Sequence, residues 1–398
     1  MIYLAMFMVS CFFIAIGEKK KQYKVFLFIG LILPVVLAAL RKDTIGIDIN
    51  TYVKPTYTFI EQSSDIKSYL ALTQTDFRTR DLELGFRLLS YAAGKLTGGL
   101  WGLFAVYEAI MVVAVYNSLT VFNNEISNIL YSIKRKTLNE NSIIGGFKNS
   151  FYRIPIWLGM FCYFSIDYNM SLTMIRQFLA CTLVLNAVVH LLAGHWKKAL
   201  IIWLFGTTMH SSALIAVLIL VLYYAVTRRN KWLVYLYIGA VGIFALTGGR
   251  MYSIVINFVN RFVHIPARYL SLNYMDFSGR DLNLAWVYNV FIILLIAFLF
   301  WKRYKKNSIS IFLLSMSITG VSLVPLSVIS ANAGRILYYY MFMGLIIVPL
   351  LYSAIKGKIA NPRKASNWII LVYGIIYWLG TTGLNDITGT SEYLFFWQ

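Results

Sequence analysis

Long apolar runs recur along the chain, separated by short polar stretches rich in lysine and arginine. Read as spans, they fall near residues 1–17, 23–40, 100–122, 154–167, 169–194, 199–209, 211–227, 232–248, 284–301, 308–330, 335–355 and 367–383. A hydrocarbon core about 30 Å thick takes about 20 helical residues to cross, and nothing here alternates as the strands of a membrane barrel do. The expected fold is therefore all-α: a polytopic membrane protein of about twelve transmembrane helices. The runs at 154–167 and 199–209 fall short of the roughly 17 residues a span needs, so half-helices or one re-entrant turn are the alternatives there. If 199–227 is one helix, residues 83–98 would restore parity as a span, or lie along the interface as an amphipathic helix.

Composition agrees. At 398 residues, 59% hydrophobic and 13% charged, with a mean hydropathy of +0.68, the chain does not suit a water-soluble globule. The formal net charge of +20 would suggest nucleic acid in a soluble protein, but here the basic residues cluster between apolar runs, as the positive-inside rule requires. The clusters are Lys19–Lys21 with Lys24, Lys134–Lys136, Lys197–Lys198, Arg228–Lys231, Lys302–Lys306 and Lys356–Lys364. Placing all six in the cytoplasm puts both termini outside. The first run, followed rather than preceded by lysines, is expected to stay as a span and not to be cleaved as a signal peptide.

This topology gives two long outer loops, 41–99 and 249–283, the second carrying Arg250, Arg261, His264, Arg268, Asp276, Arg280 and Asp281, and a cytoplasmic loop at 123–153. With no internal repeat, residues 1–398 are expected to form a single membrane domain. Cys11, Cys162 and Cys181 all lie in apolar runs at no metal-ligand spacing, as inert core residues do.

Polar residues that do not serve topology converge on the outer side. Arg41, Asp48 and Tyr52 follow the second span, in RKDTIGIDINTY. Glu83 and Arg87 close the first outer loop, Asp167 and Asn169 are expected to form an outer turn, and His210 marks the tip between 199 and 227. Asn332 and Arg335 open another span. Arg176 is expected about seven residues, roughly 10 Å, inside its helix. An ionisable side chain there costs about 2.5 to 3.5 kcal/mol to insert and faces a polar cavity or partner. Plainer readings stand beside each residue: a snorkelling Arg176, a hydrogen-bonded loop histidine at 210, solvated carboxylates at 48 and 83, and loop arginines attracting lipid headgroups.

Five short motifs in order carry a resemblance. They are Arg41, Gly46, Asp48 and Tyr52; ELGF with Glu83, Gly85 and Phe86; SLTMIRQFLA with Arg176 and Gln177; HSSAL from His210; and Gly334, Arg335 and Tyr338–Tyr340. Together, over residues 41 to 340, they resemble the EpsG family of Wzy-type polysaccharide polymerases. The resemblance implies a GT-C-like membrane glycosyltransferase of the bacterial inner membrane with its active site on the outer side. Donor and acceptor would both be undecaprenyl-diphosphate-linked oligosaccharides, with a flippase and a chain-length regulator as partners, in O-antigen (lipopolysaccharide), capsule or exopolysaccharide synthesis. In such a reaction an acceptor hydroxyl attacks the anomeric carbon and the carrier diphosphate leaves. Arg176, Arg335 and Arg41 are the expected diphosphate ligands, because arginine pairs phosphate oxygens bidentately and keeps its charge. Asp48, His210 and Glu83 are the candidate bases, with Tyr52, Gln177 and Tyr338 in support. If Asp48 pairs with Arg41, its role is instead to orient the phosphate clamp. No cofactor or metal is expected, although a divalent ion between Asp48 and the diphosphate would be compatible with the reaction. An O-antigen ligase differs from this reading only in its acceptor. A lipid-linked oligosaccharide flippase should show charges near mid-membrane and paired halves, and an acyltransferase would need a membrane-embedded histidine, for which His190 and His210 are the candidates.

Overall fold

The computed structural model describes residues 1–19, 21–127, 153–247, 284–305, 307–329, 334–356 and 360–398, with single positions at 254, 257 and 261. The tract carrying Arg250, His264, Arg268, Asp276, Arg280 and Asp281, the cluster Lys134–Lys136, and Asn332 lie outside the described residues. Every one of the twelve apolar runs is helical. The helices, with the short ones of segment 41–99, are α1 (Ile2–Gly17), α2 (Lys24–Leu40), α3 (Lys54–Gln62), α4 (Ile66–Thr75), α5 (Leu84–Thr97), α6 (Leu100–Val121), α7 (156–173), α8 (Ile175–Leu192), α9 (Trp196–Met209), α10 (Ser211–Thr227), α11 (Lys231–Thr247), α12 (Leu284–Arg303), α13 (Ser308–Ile329), α14 (Leu337–Ile355) and α15 (Pro362–Trp378). No strand occurs among the described residues; Arg41 and Phe395 form an isolated antiparallel bridge.

Five helical stretches are long and apolar enough to cross a bilayer: Leu100–Ile126, Ile175–Leu192, Leu284–Arg303, Ser308–Ser327 and Leu337–Ile355. Four shorter ones are also apolar: Ile2–Gly17, Lys24–Leu40, Ser211–Thr227 and Lys231–Phe244. Their surfaces display large apolar side chains such as Phe12, Phe28 and Leu236, each more than 60% exposed. So much bare hydrocarbon suits lipid and not water, and the chain is a membrane protein.

The described residues form two compact units, Met1–Leu214 with Ala360–Gln398 and Ile215–Ile359. In the second unit, Tyr237 and Tyr340 join α11 to α14 through their hydroxyls at 2.9 Å. The Arg303 guanidinium donates to the carbonyls of Ala354 and Lys356 at the end of α14, taking up acceptors that the helix leaves open.

In the first unit, polar side chains stitch apolar helices together where the backbone requires it. Pro34 has no N–H, so the carbonyl of Gly30 in α2 loses its helical donor. The Ser10 hydroxyl of α1 takes that place, while the Tyr168 hydroxyl donates to the carbonyl of Pro34 itself at 2.7 Å. Between α6 and α8, Asn186 donates to the Ala114 carbonyl at 2.8 Å and to the Ser118 hydroxyl at 3.2 Å. At the far end of this pair Asn117 Nδ2 lies 3.2 Å from His190 Nε2. All three cysteines are buried.

Segment 41–99 is not an open loop. Pro55 stands in the first turn of α3, Asp65 and Ser68 cap α4 reciprocally, and α5 ends at Gly98 in the left-handed conformation. Lys95 donates to the Ser63 carbonyl at 2.7 Å and ties α5 back to the end of α3. Residues 83–98 thus form one helix of this layer, with Phe86, Ser90 and Ala93 buried.

Two expectations need correction. Asp167 and Asn169 do not form a turn: α7 runs through them, with a π-helical stretch at Tyr163–Tyr168. Asn169 is held by tertiary partners, accepting from Trp378 Nε1 at 2.8 Å and donating to Thr390 Oγ1 at 2.9 Å. The break comes at Met174, whose backbone leaves the helical region (φ −111°, ψ 59°). Arg176 is consequently the second residue of α8 and not a residue two turns inside it. No proline or glycine marks that break, so the sequence carried no sign of it.

Candidate active site

Four of the five motifs meet at the start of α8. Its first N–H groups have no helical acceptor, and the Ile175 N–H donates to Asp48 Oδ2 at 3.0 Å. Asp48 thereby acts as an N-cap supplied by another segment. The same oxygen accepts from the Tyr52 hydroxyl, one turn further along. Burial, and then the neighbouring Asp48 carboxylate, push the Tyr52 phenol well above its ordinary range, so it stays a donor.

Glu83 repeats the device. Its Oε1 accepts the Ser211 N–H at 2.8 Å, at the beginning of α10, while its Oε2 pairs with Arg176 Nη1 at 2.7 Å. Burial pushes the Glu83 carboxyl up, but the Arg176 guanidinium, His210 and the Ser211 N–H outweigh it and hold the group below the usual carboxylate range.

Arg176 is therefore the centre. A cation at a helix N-terminus is unfavourable by itself; here the Glu83 and Asp48 charges both favour it. Its guanidinium covers the Tyr52 ring at 4.5 Å and lies 5.9 Å from the Phe86 ring. Its Nε has no hydrogen-bond partner among the described residues.

The motif glycines explain how these segments come so close. Gly46 has φ +110°, and a Cβ there would stand 2.5 Å from the Leu172 carbonyl oxygen. A Cβ on Gly85 would strike the Thr208 side chain at 2.2 Å. Gly46→Ala should cost about 1 to 2 kcal/mol through the left-handed backbone alone, and should displace Asp48 from α8. Loss of activity larger than the fall in detergent melting temperature, measured on the same preparation, would show that displacement.

His210 follows α9 with its Nδ1 3.1 Å from the Ser212 N–H and 2.7 Å from the Ser212 hydroxyl. Accepting the backbone N–H requires a bare Nδ1, so the neutral ring carries its proton on Nε2. Gln177 is buried in the first turn of α8.

Arg41 lies apart from this cluster. It does not pair with Asp48 through any contact described above; it is 2% exposed, and its guanidinium sits over the Phe104 ring at 4.3 Å. Burial lowers its pKa, partly offset by Tyr168, Tyr3 and Glu108. Glu108 is a site residue that the sequence reading missed. It is 1% exposed within α6, and its two oxygens accept from Tyr163 at 2.9 Å and Ser171 at 3.2 Å. A single carboxylate in the run LWGLFAVYEAIMVV was the available signal. In the second unit, Arg335 stands in the turn before α14, and Tyr338 is buried with its ring edge-on to Trp286 at 5.2 Å.

No group of three or more His, Cys, Asp or Glu side chains placed to hold a metal ion occurs among the described residues.

Segments of four motifs thus meet in one cluster, and the EpsG family matches residues 23–395, nearly the whole chain. The chain belongs to the EpsG family. Among curated proteins and among solved structures, no relative matches. For an EpsG protein, a partly buried arginine paired with Glu83 and laid on the Tyr52 ring is a charged centre suited to a polysaccharide polymerase.

The Glu83 contacts give a pH test. A carboxyl whose folded pKa is depressed contributes stability above its unfolded value, about 4.3, and that contribution is lost as pH falls through the folded pKa. Wild type should exceed Glu83→Gln by about 1.5 to 3 kcal/mol at pH 7, and the two should converge below about pH 4. Unfolding in detergent across pH 3 to 7 checks this; a difference constant through that window would show that the Glu83 charge is not what stabilises.

Proposed function

We propose that this EpsG protein joins oligosaccharide repeat units carried on a polyprenyl diphosphate, at the outer face of a bacterial inner membrane. The growing chain moves from its carrier to the non-reducing sugar of the incoming unit. The observation that carries this reading is the convergence of four motifs on Arg176, a partly buried cation with an unpartnered Nε.

In the reaction, the bond between the anomeric carbon and the diphosphate oxygen breaks and a bond to the acceptor hydroxyl forms. The acceptor proton passes to a base, and the departing diphosphate takes up negative charge. Arg176 supports this step because its position is fixed before substrate arrives: Glu83 holds Nη1, and Tyr52 covers one face. Such preorganised charge often supplies the largest part of a rate enhancement. Arg41 is assigned to the carrier phosphates as a second contact, and Arg335 joins them on the strength of its motif. Asp48 and Glu83 are each committed to a helix start, and Glu83 is held ionised by its cationic neighbours, which makes it a weak base. His210 is the better base, taking the proton at Nδ1 directly or through the Ser212 hydroxyl. No strong general acid is needed, because a diphosphate leaves without protonation.

Pulse–chase labelling of growing chains, followed by stepwise digestion from the non-reducing end, tests the direction of transfer. Under this reading the earliest label is released first. Label released last would place addition at the other end. A single addition to a non-repeating acceptor, with no ladder, would identify a ligase.

A further inference from the structure

The chain after α15 folds back over the first unit. Lys42 N–H donates to the Leu394 carbonyl at 2.8 Å and Phe396 N–H to the Leu40 carbonyl at 2.9 Å, so Arg41 and Phe395 face each other as a narrow, non-hydrogen-bonded pair. Tyr393 donates to the Leu37 carbonyl at 2.7 Å and sets its ring edge-on to Tyr3 at 5.5 Å. Earlier in the strap, the Thr388 carbonyl accepts from Thr173 at 2.6 Å and Thr390 Oγ1 accepts from Asn169 at 2.9 Å. Residues 386–396 thus bracket Arg41 on both sides and grip α7 just ahead of Arg176.

Beneath the strap, Arg41 is 2% exposed, and its Nε and Nη1 have no hydrogen-bond partner among the described residues. Glu108 supplies nearby charge, yet the hydrogen bonds described for its two oxygens come from Tyr163 and Ser171. Two buried guanidinium nitrogens without acceptors, on a cation backed by the Phe104 ring, leave donors that an oxyanion would satisfy. Arginine keeps its charge when buried and donates through its N–H groups to phosphate oxygens.

We propose that residues 386–396 form a lid over a phosphate site whose donor is Arg41, and that lifting the lid and binding phosphate are coupled. The lid is held by two backbone hydrogen bonds, a tyrosine and two threonine contacts, an attachment that one bound phosphate can exchange for its own. Phe396 at the end of the strap and Trp397 just after it, 59% and 61% exposed, form an apolar handle. The natural ligand rests on the polymerase reading, under which it is the carrier diphosphate; the site itself does not.

The test uses the full chain with Lys42→Cys and Leu394→Cys, which together can lock the strap reversibly, and Arg41→Gln separately. Binding of inorganic pyrophosphate and of undecaprenyl diphosphate is measured for oxidised and reduced protein. The lid predicts at least tenfold weaker binding when oxidised, recovery on reduction, and weak binding by Arg41→Gln. An effect with both probes identifies a site for phosphate alone, whereas an effect with the lipid only identifies a site that needs the carrier. Equal affinity in the oxidised and reduced states, wild-type affinity in Arg41→Gln, or no binding by any form overturns the proposal. Ladder synthesis separates the two readings. Lock-sensitive binding without a ladder keeps the lid and removes the polymerase; an unimpaired ladder from locked protein does the reverse.

Discussion

Arg176→Lys is expected to lower the rate of chain growth about 10²- to 10³-fold, the effect of removing one preorganised donor from a site of developing charge, while the protein stays folded. Lysine keeps a positive charge near Glu83, but it has neither a planar fork nor a flat face to lay on Tyr52. Arg176→Ala goes further. It leaves the partly buried Glu83 without its ion-pair partner, and loss of such a charged hydrogen bond costs about 1.5 to 3 kcal/mol. Rates normalised to the folded fraction from size exclusion separate the two effects. A lysine variant within threefold of wild type would mean that charge alone suffices and that the ring-backed fork is structural.

The second large effect falls on His210. His210→Ala should reduce turnover about 10²- to 10⁴-fold, as loss of a general base does, without weakening donor binding. Asp48→Asn is the informative partner. Asparagine can still accept from the Ile175 N–H and from Tyr52, so it preserves the start of α8 and removes only the charge. If His210 is the base, Asp48→Asn retains far more turnover than His210→Ala. If Asp48→Asn is equally inactive and donor binding is intact in both, the carboxylate takes the proton and His210 only shapes the α9–α10 corner.

Much of this could be read from the residues alone, for physical reasons that differ by feature. The twelve apolar runs are all helical among the described residues, because a helix satisfies its own backbone hydrogen bonds where apolar side chains exclude water. Asp48, Tyr52, Glu83, Arg176 and His210 belong together, as their polarity near the ends of apolar runs suggested. What could not be read was tertiary. The break at Met174 is imposed by Asp48, by Thr388 and by the close approach of Gly46 to Leu172, contacts 127, 215 and 126 residues away along the chain. Arg41 sits over Phe104, next to Glu108, with a strap from the far end of the chain beside it, and no local pattern announces such an arrangement. Glu108 is legible as a single charge in an apolar run.

The most direct test of the central claim is whether purified protein, given only its polyprenyl-diphosphate-linked repeat unit, makes a ladder of products spaced by one repeat. The account predicts a ladder from wild type, one carrier diphosphate released per link, and none from Arg176→Ala. Folded protein that binds verified substrate and yields no ladder, or an Arg176→Ala variant that yields a full one, would contradict it.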